Sequence, residues 1–256
     1  MSNASLFDLA EASSRRTGSP PVVALAGNPN TGKSTIFNLL TGLRQHTGNW
    51  PGKTVLVSSG SYYYQKQEYQ LVDLPGTYSL LANSPDEKSA SEFLCFARPR
   101  ATVVVADATC LERNLNLVLQ VLEITTSLIV CVNLLDEAKR KKIFIDIKGL
   151  EAELGVPVIA AVASRGKGIS QLKEAIKKMV EGKTCVQPRS ITYDPEVEKA
   201  LQQIEKQIAG KGGAFPVNCR WLALRMLEGD AGLLKKAAEY KNLEEISVWG
   251  QNLPKP

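Results

Sequence analysis

Histidine is nearly missing from this sequence. Its one representative, His46, cannot build a histidine metal site alone. Cysteine is scarce and badly placed for cooperation. The five residues Cys95, Cys110, Cys131, Cys185 and Cys219 are odd in number, and no two are close enough to form a metal or redox motif. Cys95, Cys110 and Cys131 sit in or beside apolar runs, where cysteine acts as a small hydrophobe, and this usage suits a reducing compartment. No apolar run approaches the roughly 20 residues of a membrane span. Residues 1 to 20 are polar, lack a signal-peptide core and read as a loose tail. Neither charge dominates. The balance of 31 basic and 26 acidic residues leaves +5, too weak to argue for nucleic acid, although it suits a surface facing anionic lipid. Internal repeats and low-complexity tracts are absent. What remains is an ordinary globular composition, 44% hydrophobic and 22% charged over 256 residues. That length allows one large domain, or one medium and one small.

Short β-rich apolar runs alternate with helical patterns. The expected strands are residues 22–26, 54–64, 69–73, 101–107, 127–133 and 157–161. The expected helices are 34–43, 85–97, 111–124, 147–154 and 169–180. Such alternation predicts a mostly parallel six-stranded sheet flanked by helices. Only a short polar turn separates 54–64 from 69–73, so these should form the one antiparallel hairpin. After Gly182 the pattern changes. "GKTCVQPRSITYDPE" is a polar, proline-bearing linker, and beyond it only helical spacing continues, over 196–209, 217–227 and 231–240. The reading is a tail over 1–20, an α/β domain over 21–182 and a small helical domain over 190–256.

"GNPNTGKS" at 27–34 follows the first strand and opens the first helix. This is the phosphate-binding loop pattern in its proper context. Its glycines let backbone N–H groups turn inward as an anion nest, and the helix start adds a positive dipole end. Lys33 can reach the β- and γ-phosphates, and Ser34 can offer its hydroxyl to Mg2+. "DLPG" at 73–76 and "NLLD" at 133–136 each end a strand. Asp73 suits magnesium through a water, and the Gly76 N–H suits a γ-phosphate. The Asp136 carboxylate suits the two donors on the guanine edge, which adenine does not offer in that pattern. Alone, each short motif is weak; the order of the three, each after a strand, is much more specific.

The stretches "GNPNTGKSTIFNLLTG", "GNWPGKTV", "DLPGTYSL", "SPDEKSASEFL", "DATCLERNLNL" and "RWLALRMLEGD" cover most of the chain from residue 27 to residue 230. Together they resemble the cytoplasmic N-terminal GTPase domain of the ferrous iron transport protein B family. "GNWPGKTV" and "RWLALRMLEGD" set it apart from a generic small G protein. The resemblance implies a Ras-like P-loop GTPase fold and a GDI-like helical domain acting on nucleotide affinity. It implies a C-terminal transmembrane iron-permease region of the same protein, and a place at the cytoplasmic face of the bacterial inner membrane. GTP and GDP are the implied ligands, no nucleic acid is implied, and self-association into a homo-oligomer stays open. Nucleotide binding is carried over to Asn30, Thr31, Gly32, Lys33, Ser34, Thr35, Thr54, Asp73, Gly76, Asn133, Asp136, Val162, Ala163 and Ser164. Magnesium falls to Ser34, Thr54 and Asp73. A potassium ion, K+, falls to Asn30 with backbone carbonyls near Gly48 and Trp50. Lys33, Thr54 and Asn30 carry the catalytic roles, and the two switches span 44–57 and 73–90.

Three departures from the family pattern stand out. Leu134 replaces the lysine whose stem usually lies along the guanine. Val162-Ala163-Ser164 replaces the usual Ser-Ala loop. Thr77 replaces the water-orienting glutamine of many GTPases. Asn28 receives no chemistry, and Glu112, Arg113 and Asn114 receive only a helix-start role. "EAKRKK" at 137–142 reads as a solvated loop, "YYY" at 62–64 as a partly packed hairpin, and Trp221 as a core anchor. Two rival functions remain, a soluble GTPase of ribosome or tRNA biology and a nucleotide sensor with negligible hydrolysis.

Overall fold

The computed structural model describes residues 19–42, 45–49, 56–81, 84–188, 192–210 and 218–229. The expected 231–240 helix and the tail to residue 18 lie outside them. The chain forms two compact units, divided between residues 189 and 190.

The first unit is built on one sheet. Its strands are β1 (Val22–Gly27), β2 (Gln45–Asn49), β3 (Leu56–Tyr64), β4 (Gln67–Asp73), β5 (Ala101–Asp107), β6 (Leu128–Asn133) and β7 (Val158–Ala160). Their order is β2-β3-β4-β1-β5-β6-β7. β1 pairs parallel with both β4 and β5, and β6 and β7 follow in parallel. Central strands of this kind are covered on both faces, which is why VVALAG, ATVVVAD and LIVCVN are continuous apolar runs rather than alternating ones.

All six expected strands are present. β2 is a seventh, added at the edge. The expectation of one antiparallel hairpin needs correction, because β2 pairs antiparallel with β3 just as β3 does with β4. The β3–β4 turn is Gln65–Lys66, both at positive φ (48° and 68°), the backbone of a two-residue hairpin loop. Tyr62 stacks on its cross-strand partner Tyr69 at 5.1 Å between ring centres. Tyr63 faces solvent, so the tyrosine run alternates as a strand should.

Helices α1 (Lys33–Thr41) and α6 (Ile169–Val180) cover one face, with Ile36, Phe37, Leu40, Leu172 and Ile176 in a core shared with Leu25, Val103 and Cys131. Four more helices complete the unit: α2 (Pro85–Glu92), α3 (Leu111–Ile124), α4 (Leu135–Arg140) and α5 (Ile147–Leu154). α2 starts on a Ser84 cap followed by Pro85 and runs on into a π-helical turn, Phe93–Ala97. α4 corrects the expected loop at 137–142, whose first four residues are helical. No helix of the described residues is long and apolar enough to cross a membrane.

In the second unit, α7 (Pro195–Gly210) and α8 (Cys219–Leu227) pack together. Leu201, Ile204 and Ile208 are buried on α7, as are Trp221, Leu222 and Ala223 on α8. Trp221 is the expected anchor. Arg220 pairs with both Glu198 oxygens, at 2.6 and 3.1 Å, and so ties the two helices.

Gly155 closes α5 at φ 67°, and a methyl group there would fall on the Gln187 carbonyl. Gly182 has the same φ of 67° with open space around it. Gly182→Ala should therefore cost only the left-handed backbone, about 1 kcal/mol. Gly155→Ala should cost about 1–3 kcal/mol more, because the 187–188 backbone must move. Urea unfolding midpoints measure the difference; equal shifts would show that the 187–188 segment yields freely.

Candidate functional site

In a parallel sheet of this kind the loops beyond the carboxyl ends of the strands form the ligand crevice. "NPNTG" leaves β1, "LPG" leaves β4, "LLD" leaves β6, and the 161–164 turn leaves β7. The sequence motifs therefore converge at one end of the sheet.

The strand ends are stitched to one another. Leu74 N donates to Leu25 O at 2.9 Å, and Thr77 N donates to Gly27 O at 3.2 Å. Gly76 consequently lies against Pro29 of the first loop. Lys33 opens α1 yet is only 9% exposed. Its ammonium donates to the Asp73 carboxylate and, at 2.7 Å, to the Leu74 carbonyl. Burial pushes the Asp73 carboxyl above the usual carboxylate range, and Lys33 pulls it back. Ser34 and Thr35 are exposed in the first turn of α1. No side chain caps that turn, which leaves it open to an anion.

Asn133 joins three loops. Its Nδ2 donates to Thr31 O at 3.0 Å, and its Oδ1 accepts from Ala163 N at 2.9 Å. Gly32, at φ 83°, lies so close to the Asn133 Nδ2 that a Cβ would fall on it. The second glycine of the loop is thus explained by packing as well as by φ. Thr31, also buried, donates its hydroxyl to Asn28 O at 3.0 Å.

Asp136 sits in the first turn of α4, after Leu134 at φ 62°. One of its oxygens accepts from Glu137 N at 3.1 Å, and the other lies 3.7 Å from the exposed Arg165 guanidinium. Val162 is half-buried and closes the turn through Lys167. Ala163 is buried with its N–H committed to Asn133, and Ser164 is exposed beside it. Asn30 is exposed at φ 65°. Gly48 lies in β2 opposite Val57. Thr54 and Trp50 lie outside the described residues.

Three features escaped the sequence reading. Asn28 is 3% exposed, and neither atom of its amide has a partner among the described residues. Gln120 of α3 accepts from Leu80 N at 2.7 Å and from Ser79 Oγ at 3.3 Å. The Arg113 guanidinium stands 4.1 Å over the Tyr78 ring. Gln120 and Arg113 thus hold the segment after "DLPG" onto α3. "DATCLERN" was the only signal, and it pointed to a helix start. The Thr77 hydroxyl donates to Ser79 O at 2.6 Å, so it braces this segment from within.

A phosphate-loop lysine, a D-x-x-G strand end and an N-x-x-D motif joined by its asparagine define a P-loop GTPase fold. Residues 21–176 match the family described as ferrous iron transport protein B, and residues 193–252 match the FeoB cytosolic helical domain. The chain belongs to this family. It is 40% identical over 217 residues to the Fe(2+) transporter FeoB of Salmonella typhimurium, covering 81% of this chain and 27% of that one. The Escherichia coli K12 protein of the same name is 41% identical over 213 residues, with the same coverage. The chain therefore spans about a quarter of the length of these relatives. Among solved structures, the cytosolic domain of the T. maritima FeoB iron transporter in a GDP form superposes with a TM-score of 0.79 at 32% identity, covering 91% of this chain and 96% of that one. Its GMPPNP form gives the same values. The cytosolic domain of L. pneumophila FeoB gives 0.78 at 32% identity, covering 91% and 90%.

Asn133→Ala should weaken GDP and GTP alike, by roughly 10- to 100-fold, because it leaves the Thr31 carbonyl and the Ala163 N–H buried without their partner. Titration with a fluorescent analogue of each nucleotide measures this. Loss confined to GTP would contradict a role in loop geometry.

Proposed function

We propose that this chain binds and hydrolyses GTP as the cytoplasmic switch of a membrane ferrous iron transporter. The observation that carries the reading is the Asn133 bridge. It ties the phosphate loop at Thr31 and the 162–164 turn at Ala163 to the strand end that leads into Asp136. The crystallised T. maritima relatives in GDP and GMPPNP forms support it. The rest of the relatives' length would carry the iron-permease region, at the cytoplasmic face of the bacterial inner membrane. The helical unit would act on nucleotide affinity.

Lys33 leaves Asp73 and the Leu74 carbonyl to meet the β- and γ-phosphates, with backbone N–H groups of residues 30–35 around them. That move strands the Asp73 carboxylate, which is only 14% exposed at its side chain. A nearly buried carboxylate without a cation is costly, so a second cation would be needed there. Ser34, Asp73 and Thr54 offer the hard oxygen donors that suit Mg2+. When bound, magnesium neutralises charge on the phosphate oxygens. Gly76 presents its N–H to the γ-phosphate, and the Thr54 N–H does so from the first switch. The segment held by Gln120 and Arg113 would tighten with the γ-phosphate and relax after its loss. Asp136 reads the guanine edge, Asn133 holds the surrounding loops, and Val162, Ala163 and Ser164 wall the base. Asn30, with carbonyls near Gly48 and Trp50, would hold K+ beside the β–γ bridge.

A second reading, a nucleotide sensor with negligible hydrolysis, is favoured by one observation. Thr77 stands at the glutamine position with its hydroxyl already given to Ser79 O. Initial GTPase rates in matched KCl and NaCl separate the two. A cation held by Asn30 would supply charge of the kind an arginine finger brings, worth about 10³–10⁵, so potassium should accelerate hydrolysis by roughly tenfold or more. Asn30→Ala should abolish the difference. Identical parent rates in both salts would remove the potassium site. Hydrolysis absent in both would favour the sensor.

A further inference from the structure

The basic run after the base-reading motif is more than a solvated loop. Lys139, Arg140, Lys141 and Lys142 are all exposed. Arg140 has a weak partner in the half-buried Glu137 at 3.6 Å. The next two residues are apolar and also outside: Ile143 is 39% exposed and Phe144 is 91% exposed. The second most exposed large hydrophobic is Tyr63 at 61%, so Phe144 is the extreme case among the described residues.

This exposure is held by the backbone. Lys142 takes the left-handed conformation at φ 60°, its N–H donates to Lys139 O at 3.1 Å, and Ile143 N donates to Ala138 O at 2.9 Å. These two bonds form the paired closure of a Schellman helix end. The turn therefore fixes four cations next to a protruding aromatic ring. A groove of about 680 Å³ lies alongside, and Leu111, Ile143, Phe144, Ile145 and Leu150 contribute its apolar lining. Glu112, Asp146 and Glu153 line the same groove against the one cation Arg113, so its charged lining is net acidic and would repel an anionic surface. An anionic contact is thus confined to the 139–144 tip.

We propose that this tip docks on an anionic lipid surface, with Lys139 to Lys142 against the headgroups and Phe144 inserted at the acyl boundary. Clustered cations with an adjoining exposed apolar side chain are the chemistry such a surface selects. Single-stranded nucleic acid stacks successive bases on several aromatic side chains along a basic groove, whereas here there is one ring and the adjoining groove carries Glu112, Asp146 and Glu153. An acidic protein would pair with the cations but leave the most exposed hydrophobic unexplained. The proposal goes beyond the GTPase cycle and does not depend on it.

The test is co-sedimentation of the whole chain with vesicles of phosphatidylcholine, alone or with about one-third phosphatidylglycerol. Binding should favour the anionic vesicles and collapse at high salt. Each cation near such a surface contributes about fivefold. The double substitution Lys141→Gln, Lys142→Gln should therefore lower partitioning by roughly 25-fold. Phe144→Ser should lower it by about tenfold or more at unchanged charge. The far-ultraviolet circular dichroism spectrum and thermal midpoint should match the parent in every variant, which shows that each is folded. Equal binding to both vesicle types would overturn the proposal. So would anionic binding that survives the substitutions, or parent protein that ignores vesicles and instead binds poly-glutamate or single-stranded RNA.

Discussion

Everything at the site depends on one buried amide. Asn133 ends β6, is 1% exposed and spends both halves of its side chain on other loops. One hydrogen bond fixes the phosphate loop at Thr31, and the other fixes the turn after β7 at Ala163. Because the amide fills the space beside Gly32, that position has no room for a side chain. The loop's glycine and the base motif's asparagine are therefore a single packing solution. The same residue begins "NLLD", with Asp136 three residues on, so the loops proposed to read the base and to hold phosphate share one anchor.

The second dependency is ionic. Lys33 and Asp73 are nearly buried, with side chains 10% and 14% exposed, and each answers the other's charge. Desolvation offsets much of the attraction in such a pair, so it is weak evidence for stability. Breaking it without a substitute is costly, about 3–5 kcal/mol, and that asymmetry is useful in a switch. Lys33 can leave only if anions receive it, and Asp73 can be left only if a cation replaces it. A magnesium nucleotide satisfies both conditions at once. The residues after Asp73 are tied to the same pair, since Leu74 O also holds Lys33 while Leu80 N and Tyr78 are held by α3.

The sheet was legible because its central strands carry continuous apolar runs that only a doubly covered parallel strand explains. β2 was not legible. "QHTGN" has neither alternation nor apolar content, and it joins the edge through backbone pairing with β3 alone. α4 was missed for a similar reason, since six residues of "LDEAKR" are too short to show a period. At the site, the motif residues were readable one by one, because their types follow from phosphate and guanine chemistry. Their mutual contacts were not. Gln120 meets Leu80 across 40 positions, and nothing in an amphipathic helix marks which half-buried glutamine reaches the segment after "DLPG". Asn28 shows the reverse limit, a polar residue whose burial only coordinates reveal.

The most direct measurement is nucleotide titration of Asp136→Asn with GTP and XTP. If Asp136 reads the guanine edge from the frame that Asn133 holds, the amide should match guanine's two donors less well and donate to the C2 carbonyl of xanthine. GTP affinity should fall and XTP affinity should rise above it. Unchanged GTP affinity in the variant would contradict the assignment, and with it the claim that this crevice is built around a guanine nucleotide.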